Sequence, residues 1–337
     1  MSSSQLMNVR PFPQLQRHKQ FRSDFLRALY SRTTNNEIAF RWINRDFVRG
    51  LQQHEPPPLT AVAERIVAEL QANGIAFANF TEFFEASFFD EIKDAFDVLH
   101  EEFNRTRRNE LSGKEVFLDT IHKAHTFTVN DPVSTYLSAP VFAAISCRYM
   151  KMVPRYVGSS FWHTKPAPSD RVYSQMWHRD YNDRRLVKIF LYLNDVGREN
   201  GFFEYATRTH VNGVLGRAFD RIGADGYRAY PDQDEVEGVI GKLPVISLDQ
   251  VPPAKRYGNA APWHNTPSVI ECLGPTGTMI FADTFGIHRG GFVKNGHRDM
   301  IMSTYSTNFN VHKPHFAVTA EFASTLSPFM RMAFGLA

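Results

Sequence analysis

The residues best suited to chemistry are those of Trp177-His178-Arg179-Asp180, together with His288 far downstream. In extended chain, residues i and i+2 project to the same side, so His178 and Asp180 can reach one metal ion from a single strand or its extension. His288 follows Phe281-Ala282-Asp283-Thr284 at the end of an expected strand and offers a third ligand. Two imidazoles and one carboxylate on one face of a metal leave three positions open, the facial arrangement of non-haem Fe(II) oxygenases. Those positions accept a bidentate 2-oxo acid and then O2. The expected metal ligands and catalytic residues are therefore His178, Asp180 and His288. The expected cofactors are Fe(II), the cosubstrate 2-oxoglutarate and O2.

Arg298 stands ten residues after His288, at the start of the β-rich run Arg298–Ser306. An antiparallel return from the metal would bring its guanidinium to the second carboxylate of a chelated 2-oxoglutarate, and the planar fork of Arg suits that partner. The run Val187–Leu193 alternates. Val187, Ile189, Leu191 and Leu193 form an aliphatic face, while Lys188, Phe190 and Tyr192 form the other. With the aliphatic face on a helical layer, Lys188, Phe190 and Tyr192 look into a barrel, where a lysine is costly unless an anion meets it. Lys188 is thus a second candidate carboxylate partner, for cosubstrate or substrate. Gln175, Tyr192 and Arg289 are candidate substrate contacts, with pairing to Asp283 as the other reading of Arg289. Phe161, Trp162, Phe190 and Tyr192 together suggest an aromatic interior suited to a medium-sized, partly apolar molecule.

These groups need a scaffold, and the pattern changes along the chain to give one. Residues 1–58 read as an N-terminal extension packed on the core. Leu59, Val62, Ala63, Ile66, Val67 and Leu70 recur at helical spacing after Pro56-Pro57-Pro58, and Gly74 ends that helix. Further helices are expected over 84–104 and 138–151, the latter with Ser138 as its N-cap. From about 153 the text becomes short β-rich runs between Gly, Pro and Asn turns: Arg155–His163, Val187–Leu193, Gly201–Tyr205, Ser268–Cys272, Thr278–Phe281, Gly286–His288 and Arg298–Ser306. Helices first and many strands afterwards predict a mainly β fold with α: a double-stranded β-helix, jelly-roll or cupin-like, buttressed by N-terminal helices. The expected layout is helices over 59–152, the β-helix core over 153–310 with a long, loop-like insert at 212–267, and a C-terminal segment 311–337, all in one catalytic domain. Inserts of that length are usually lids or binding loops.

Composition excludes several classes. The 337 residues carry a net charge of only +3, too little to argue for nucleic acid. No apolar run approaches the ~20 residues of a membrane span, and the polar, basic start lacks the apolar core of a signal peptide. Cys147 and Cys272 form no ligand spacing, which reads as two reduced thiols. A cytoplasmic enzyme, monomer or homodimer, with a small-molecule substrate is expected.

The array QMWHRDYNDRRLVKIFLYLND, then GFFEYATRTH, then FADTFGIHRGG and Arg298, resembles the phytanoyl-CoA dioxygenase family over roughly residues 75–310. The resemblance implies a double-stranded β-helix and the roles already given to His178, Asp180, His288 and Arg298. It also implies that Phe190 lies near the cosubstrate and that an upstream basic residue joins it. Lys123 in HKAHTFTVND is the nearest match, with His125 as competitor. The implied reaction is oxidation, foremost hydroxylation, of an unactivated C–H bond through an Fe(IV)-oxo species. Halogenases of this chemistry lack the carboxylate that Asp180 supplies here.

Other readings exist. HRD also opens the protein-kinase catalytic loop, but Arg185 stands where the magnesium-binding Asn belongs and no Gly-rich loop is present. A cupin-like metal enzyme that does not use 2-oxoglutarate would have no need of Arg298 or Lys188. A non-catalytic jelly-roll binding protein would have no need of the intact triad. Of the remaining histidines, His163 and His210 read as hydrogen-bonded structural residues and His297 as solvent-facing.

Overall fold

The computed structural model describes residues 6–7, 37–106, 113–166, 171–180, 183–216, 219, 232–307 and 314–336. The first long helix runs Ala61–Asn73. The Thr60 hydroxyl accepts from Ala63 N at its start, and Gly74 ends it at φ 79°, the left-handed conformation glycine takes without strain. A side chain there would also collide with Tyr205 and His210. Ile66 and Leu70 on its inner face are fully buried, worth about 1.5–3 kcal/mol each. A second long helix spans Ala86–Thr106 and buries Ile92 and Phe96. The helix expected over 138–151 is present, and a further short helix precedes it. The short one runs Pro132–Leu137 with Asp131 as its cap, and the expected one runs Pro140–Met150. Ser138 is the C-cap of the first rather than the N-cap of the second, because each proline takes a first-turn position where its missing N–H costs nothing.

The described strands, in chain order, are β1 (Leu6–Met7), β2 (Ile75–Asn79), β3 (Leu118–Lys123), β4 (Thr126–Phe127), β5 (Arg155–Thr164), β6 (Leu186–Tyr192), β7 (Phe203–Ala206), β8 (Val245–Ser247), β9 (Val269–Cys272), β10 (Thr278–Ala282), β11 (His288–Arg289), β12 (Arg298–Ser306) and β13 (Ala317–Thr319). A six-stranded antiparallel sheet has the order β2-β10-β6-β12-β5-β3, and a four-stranded sheet the order β11-β7-β9-β8. A small sheet of β1, β13 and β4 stands apart from both.

Alternation decides what each face meets. Val187, Ile189 and Leu191 of β6, Met279 and Phe281 of β10, and Ile301 and Tyr305 of β12 join the helices in one core. Phe190, Tyr192, Ile280, Met300 and Met302 turn the other way and pack on Phe203, Tyr205 and Ile270 of the smaller sheet. Phe161 sits in the helix-side core while its neighbour Trp162 turns inward. Phe161 is therefore no part of the interior aromatic wall, since adjacent strand residues face opposite ways.

The stretch 212–267 is not one long loop. It holds a helix, Gln233–Ile240, and β8, which extends the smaller sheet parallel to β9. Val236 and Ile240 bury their side chains against Trp177, Val269 and Ile287. Phe40 and Phe47 of the N-terminal helices join the main core. Cys147 and Cys272 are free and buried. Among the described residues, no helix is long and apolar enough to cross a membrane.

Candidate active site

Backbone pairing brings the two ends of the metal motif together. His178 and His288 form an antiparallel bridge in which each N–H donates to the other's carbonyl at 2.9 Å. Asp180 N donates to Thr284 O at 2.8 Å. The strand extension carrying His178 and Asp180 is thereby registered on the segment that ends in His288. One ligand atom from each of the three residues lies within 4.8 Å of the other two.

Each imidazole is oriented by its far nitrogen. His178 Nδ1 lies 2.9 Å from Met176 O, and His288 Nδ1 2.9 Å from Gly286 O. A carbonyl only accepts, so each Nδ1 carries the proton and each Nε2 is left with its lone pair, the form that binds a metal. Burial, reinforced by the neighbouring His178, pushes His288 down to about 3, and burial also lowers His178. Both rings are neutral without a metal. Burial alone would raise Asp180, but Lys188 and the two imidazoles outweigh it and hold the carboxyl well below its usual range. Neutral imidazoles and an ionised carboxylate are the donor set that first-row metals need.

The ligands line a cavity of about 190 Å³ at one end of the space between the sheets. Its wall takes Trp162 and Thr164 from β5, Lys188 and Phe190 from β6, Phe203 from β7, Arg298 and Met300 from β12, and Ser174 and Gln175 from the turn ahead of Trp177. Phe190 packs tilted against Phe203, their ring centroids 5.1 Å apart. Arg298 is 4 % exposed. It donates to Gly201 O, lies 3.4 Å from Thr164 Oγ1, and leaves its Nε with no acceptor. Among the described residues no carboxylate lies within ion-pair distance of it. A buried guanidinium without a counter-ion is expensive, and a carboxylate ligand is its natural complement. Gln175 is 1 % exposed; its Oε1 accepts from Val172 N at 3.2 Å and its Nε2 finds no partner. Both orphaned donors belong to the cavity wall.

Several sequence-expected contacts stand elsewhere. Lys188 faces inward, but its Nζ sits 2.7 Å from Asp180 Oδ2, so its partner here is a metal ligand. Tyr192 is wholly buried behind the wall. Its hydroxyl donates to Cys272 O at 3.0 Å and accepts from Phe203 N at 3.3 Å. It links the two sheets and is not brought into the cavity. Arg289 projects from the opposite side of β11, because His288 and Arg289 are consecutive in a strand. Its guanidinium meets Glu204 at 2.7 and 2.8 Å and lies 4.1 Å over the Trp177 ring. Glu204, rather than Asp283, is thus its acidic partner. Asp283 instead accepts from Tyr149 Oη at 2.5 Å. The Lys123 side chain lies outside the described residues; its backbone pairs with Ser160. His125 is buried and bonded to Ser134 at 2.9 Å, away from the cavity. His163 bonds Asp299 at 2.6 Å and His210 bonds Gln71 O at 3.2 Å, while His297, half exposed, reaches Asp299 at 3.3 Å.

Two groups of residues escaped the sequence reading. Lys114, in the turn Gly113–Val116 ahead of β3, lines the cavity. Its only signal is a basic residue just before the sheet's edge strand. The second group belongs to the insert. Gln233 Oε1 accepts from Trp177 N and its Nε2 donates to Trp177 O, both at 3.0 Å, so an amide side chain imitates a neighbouring strand. Glu237 accepts from Trp177 Nε1 at 2.7 Å and from Arg289 Nη1 at 3.3 Å. One helix thus grips the residue before His178 and the residue after His288. The described residues of the insert contribute nothing to the cavity wall.

Solved structures share this architecture. EctD from S. alaskensis with bound Fe overlaps with a TM-score of 0.51 at 13% identity, covering 84% of this chain and 89% of that one. The apoform of the same protein gives 0.51 at 15% identity over 84% and 90%. The non-heme alpha ketoglutarate dependent carbocyclase SnoK from nogalamycin biosynthesis gives 0.48 at 13% identity, over 76% and 90%. At these identities the likeness to EctD establishes the double-stranded β-helix fold and nothing further. No family model matches the chain, and no curated protein matches it.

Proposed function

We propose that the protein is a non-haem Fe(II)- and 2-oxoglutarate-dependent oxygenase, with His178, Asp180 and His288 as iron ligands and Arg298 as the anchor of the 2-oxoglutarate side-chain carboxylate. The observation that carries this is Arg298: a buried cation with no acidic partner, in the same small cavity as a ready-made triad. A cupin-like enzyme that does not use 2-oxoglutarate leaves that charge unexplained. So does a non-catalytic jelly-roll protein.

Bound iron would supply the activation of O2 that no side chain provides. The chain's own contribution is placement. His178 and His288 present Nε2 because backbone carbonyls hold Nδ1–H. Asp180 brings one negative charge, stabilised by Lys188. Arg298 fixes the far end of the cosubstrate, with Thr164 beside it and Tyr192 behind it. Phe190, Phe203, Trp162 and Met300 keep the cavity apolar and exclude water. The cavity is smaller than the ~300–1,000 Å³ typical of sites for drug-sized ligands. Once 2-oxoglutarate is in place, the remaining room suits a small substrate, or one end of a larger molecule. Hydroxylation of a C–H bond is the leading reaction, with ring closure as the alternative. Affinity with the phytanoyl-CoA dioxygenase family rests on the motif array around His178, His288 and Arg298.

The test is succinate formation from 2-oxoglutarate by purified protein with Fe(II), ascorbate and O2. Even without substrate, slow uncoupled turnover is expected, and it should vanish in Asp180→Ala. Wild-type protein that binds Fe(II) but forms neither a 2-oxoglutarate complex nor succinate would refute the proposal.

A further inference from the structure

Resting on the iron and 2-oxoglutarate reading just given, we infer that the cavity takes an anionic substrate, one bearing a carboxylate or phosphate, with Lys114 as the residue that receives the charged group. The argument is a charge count. Among the described residues, the titratable wall consists of Lys114, Lys188 and Arg298, the Asp180 carboxylate, and two imidazoles that as iron ligands carry no charge. Three cations therefore face one anion. A divalent iron and a doubly charged 2-oxoglutarate cancel each other, so loading the site leaves two positive charges in excess. That excess favours the entry of a further anion, and Lys114 carries it at the solvent-exposed mouth.

The three cations differ in what already satisfies them. Arg298 is assigned to the cosubstrate. Lys188 is met by Asp180 at 2.7 Å. Lys114 has no acidic partner among the described residues. It is also exposed, so it stands at the mouth, where an entering molecule meets the wall. Its ammonium is pulled below its ordinary range, first by burial of part of the side chain and then by Lys188. The Nε2 donor of Gln175 adds a neutral group on the same wall that lacks an acceptor. Together these features favour an acidic molecule over a neutral or cationic one of the same shape.

The test uses anaerobic protein loaded with Fe(II) and 2-oxoglutarate, followed by the charge-transfer absorption of the chelate. Butyrate, butyl phosphate and the neutral butyramide are the probes, titrated separately. An anion should perturb the band at a concentration about tenfold or more below that needed for butyramide, as expected for one charge-assisted hydrogen bond. Lys114→Met should abolish most of that preference and Lys114→Arg should keep it. The band formed by each variant serves as the folding check. The difference between butyrate and butyl phosphate says which anion the site prefers. Equal or tighter binding of butyramide, no response to either anion, or a preference untouched by Lys114→Met would overturn the inference. Loss of the band on adding an anion would place that anion on the cosubstrate site and would overturn it too. Failure of the band to form at all would instead bring down the iron and 2-oxoglutarate reading, and this inference with it.

Discussion

Replacing Arg298 with methionine should separate binding from stability, with opposite signs. The side chain is 4 % exposed, its Nε lacks an acceptor, and it has no counter-ion within ion-pair distance among the described residues. Without cosubstrate the protein therefore bears the cost of a buried, uncompensated charge. Methionine removes that charge and fills similar space with apolar atoms. It gives up the charged hydrogen bond to Gly201 O, worth about 1.5–3 kcal/mol, and a long, weaker contact to Thr164, which removal of the uncompensated charge offsets. We expect an apo unfolding free energy within about 1–2 kcal/mol of wild type. The cosubstrate complex should suffer far more. A hydrogen bond to a charged group contributes about 1.5–3 kcal/mol, and a bidentate carboxylate contact makes two. Losing about 3 kcal/mol weakens 2-oxoglutarate by about a hundredfold. The assay is thermal unfolding of Ni(II)-loaded protein, with and without 2-oxoglutarate. Saturating cosubstrate at a hundred times its Kd raises wild-type stability by about 2.7 kcal/mol, and the same concentration should leave the variant nearly unshifted. A variant strongly destabilised as apo protein, yet still shifted by 2-oxoglutarate like wild type, would show that Arg298 is a structural ion and sink the assignment.

Asp180→Ala should abolish stoichiometric Fe(II) binding, measured by metal content after gel filtration. It also leaves Lys188 without its partner, so the apo variant should unfold earlier, by several degrees. The pH dependence follows from the histidines. His288 is lowered from 6.5 to about 3 by burial and by His178, so the folded protein takes up that proton less readily than the unfolded chain does. Its stabilising contribution is complete above about pH 6.5 and is lost as pH falls from there towards 3. Apo unfolding midpoints should decline across that window, and His288→Gln should flatten the slope; an unchanged slope would contradict the burial argument. Glu237→Gln should weaken Fe(II) retention by about 10–100-fold, the usual cost of losing a residue that orients a ligand. The apo unfolding midpoint should move little, because Glu237 is half exposed. Equal losses in both would mean that Glu237 merely supports the insert.

What the sequence revealed and what it hid divide along sequence distance. The alternation in Val187–Leu193 and the i, i+2 spacing of His178 and Asp180 are local, and period-two geometry converts them directly into facing. The start and end of Arg298–Ser306 could be read for the same reason. Partnerships across long separations could not. Nothing near Arg289 says that Glu204 will neutralise it, since the pairing arises only when β11 lies along β7. Lys188 facing inward was legible, but its bond to Asp180 depends on how the chain returns after residue 180. Ser138 looked like a helix start because serine favours N-caps. It became a C-cap because Asp131 and Pro132 begin a separate short helix that ends at Leu137, just ahead of it. The insert read as a loop because its turns dilute a helix of only eight residues.

That insert helix has a consequence beyond its packing. Gln233 and Glu237 hold Trp177 and Arg289, the neighbours of two of the three proposed iron ligands. Coupling of this kind runs in both directions. If the helix steadies the ligands, then a metal that steadies the ligands must steady the helix. The amide protons of Gln233–Ile240 should therefore exchange more slowly with solvent once iron is bound, although none of these residues lines the cavity. Protection of this segment would report on metal occupancy from the outer face of the protein.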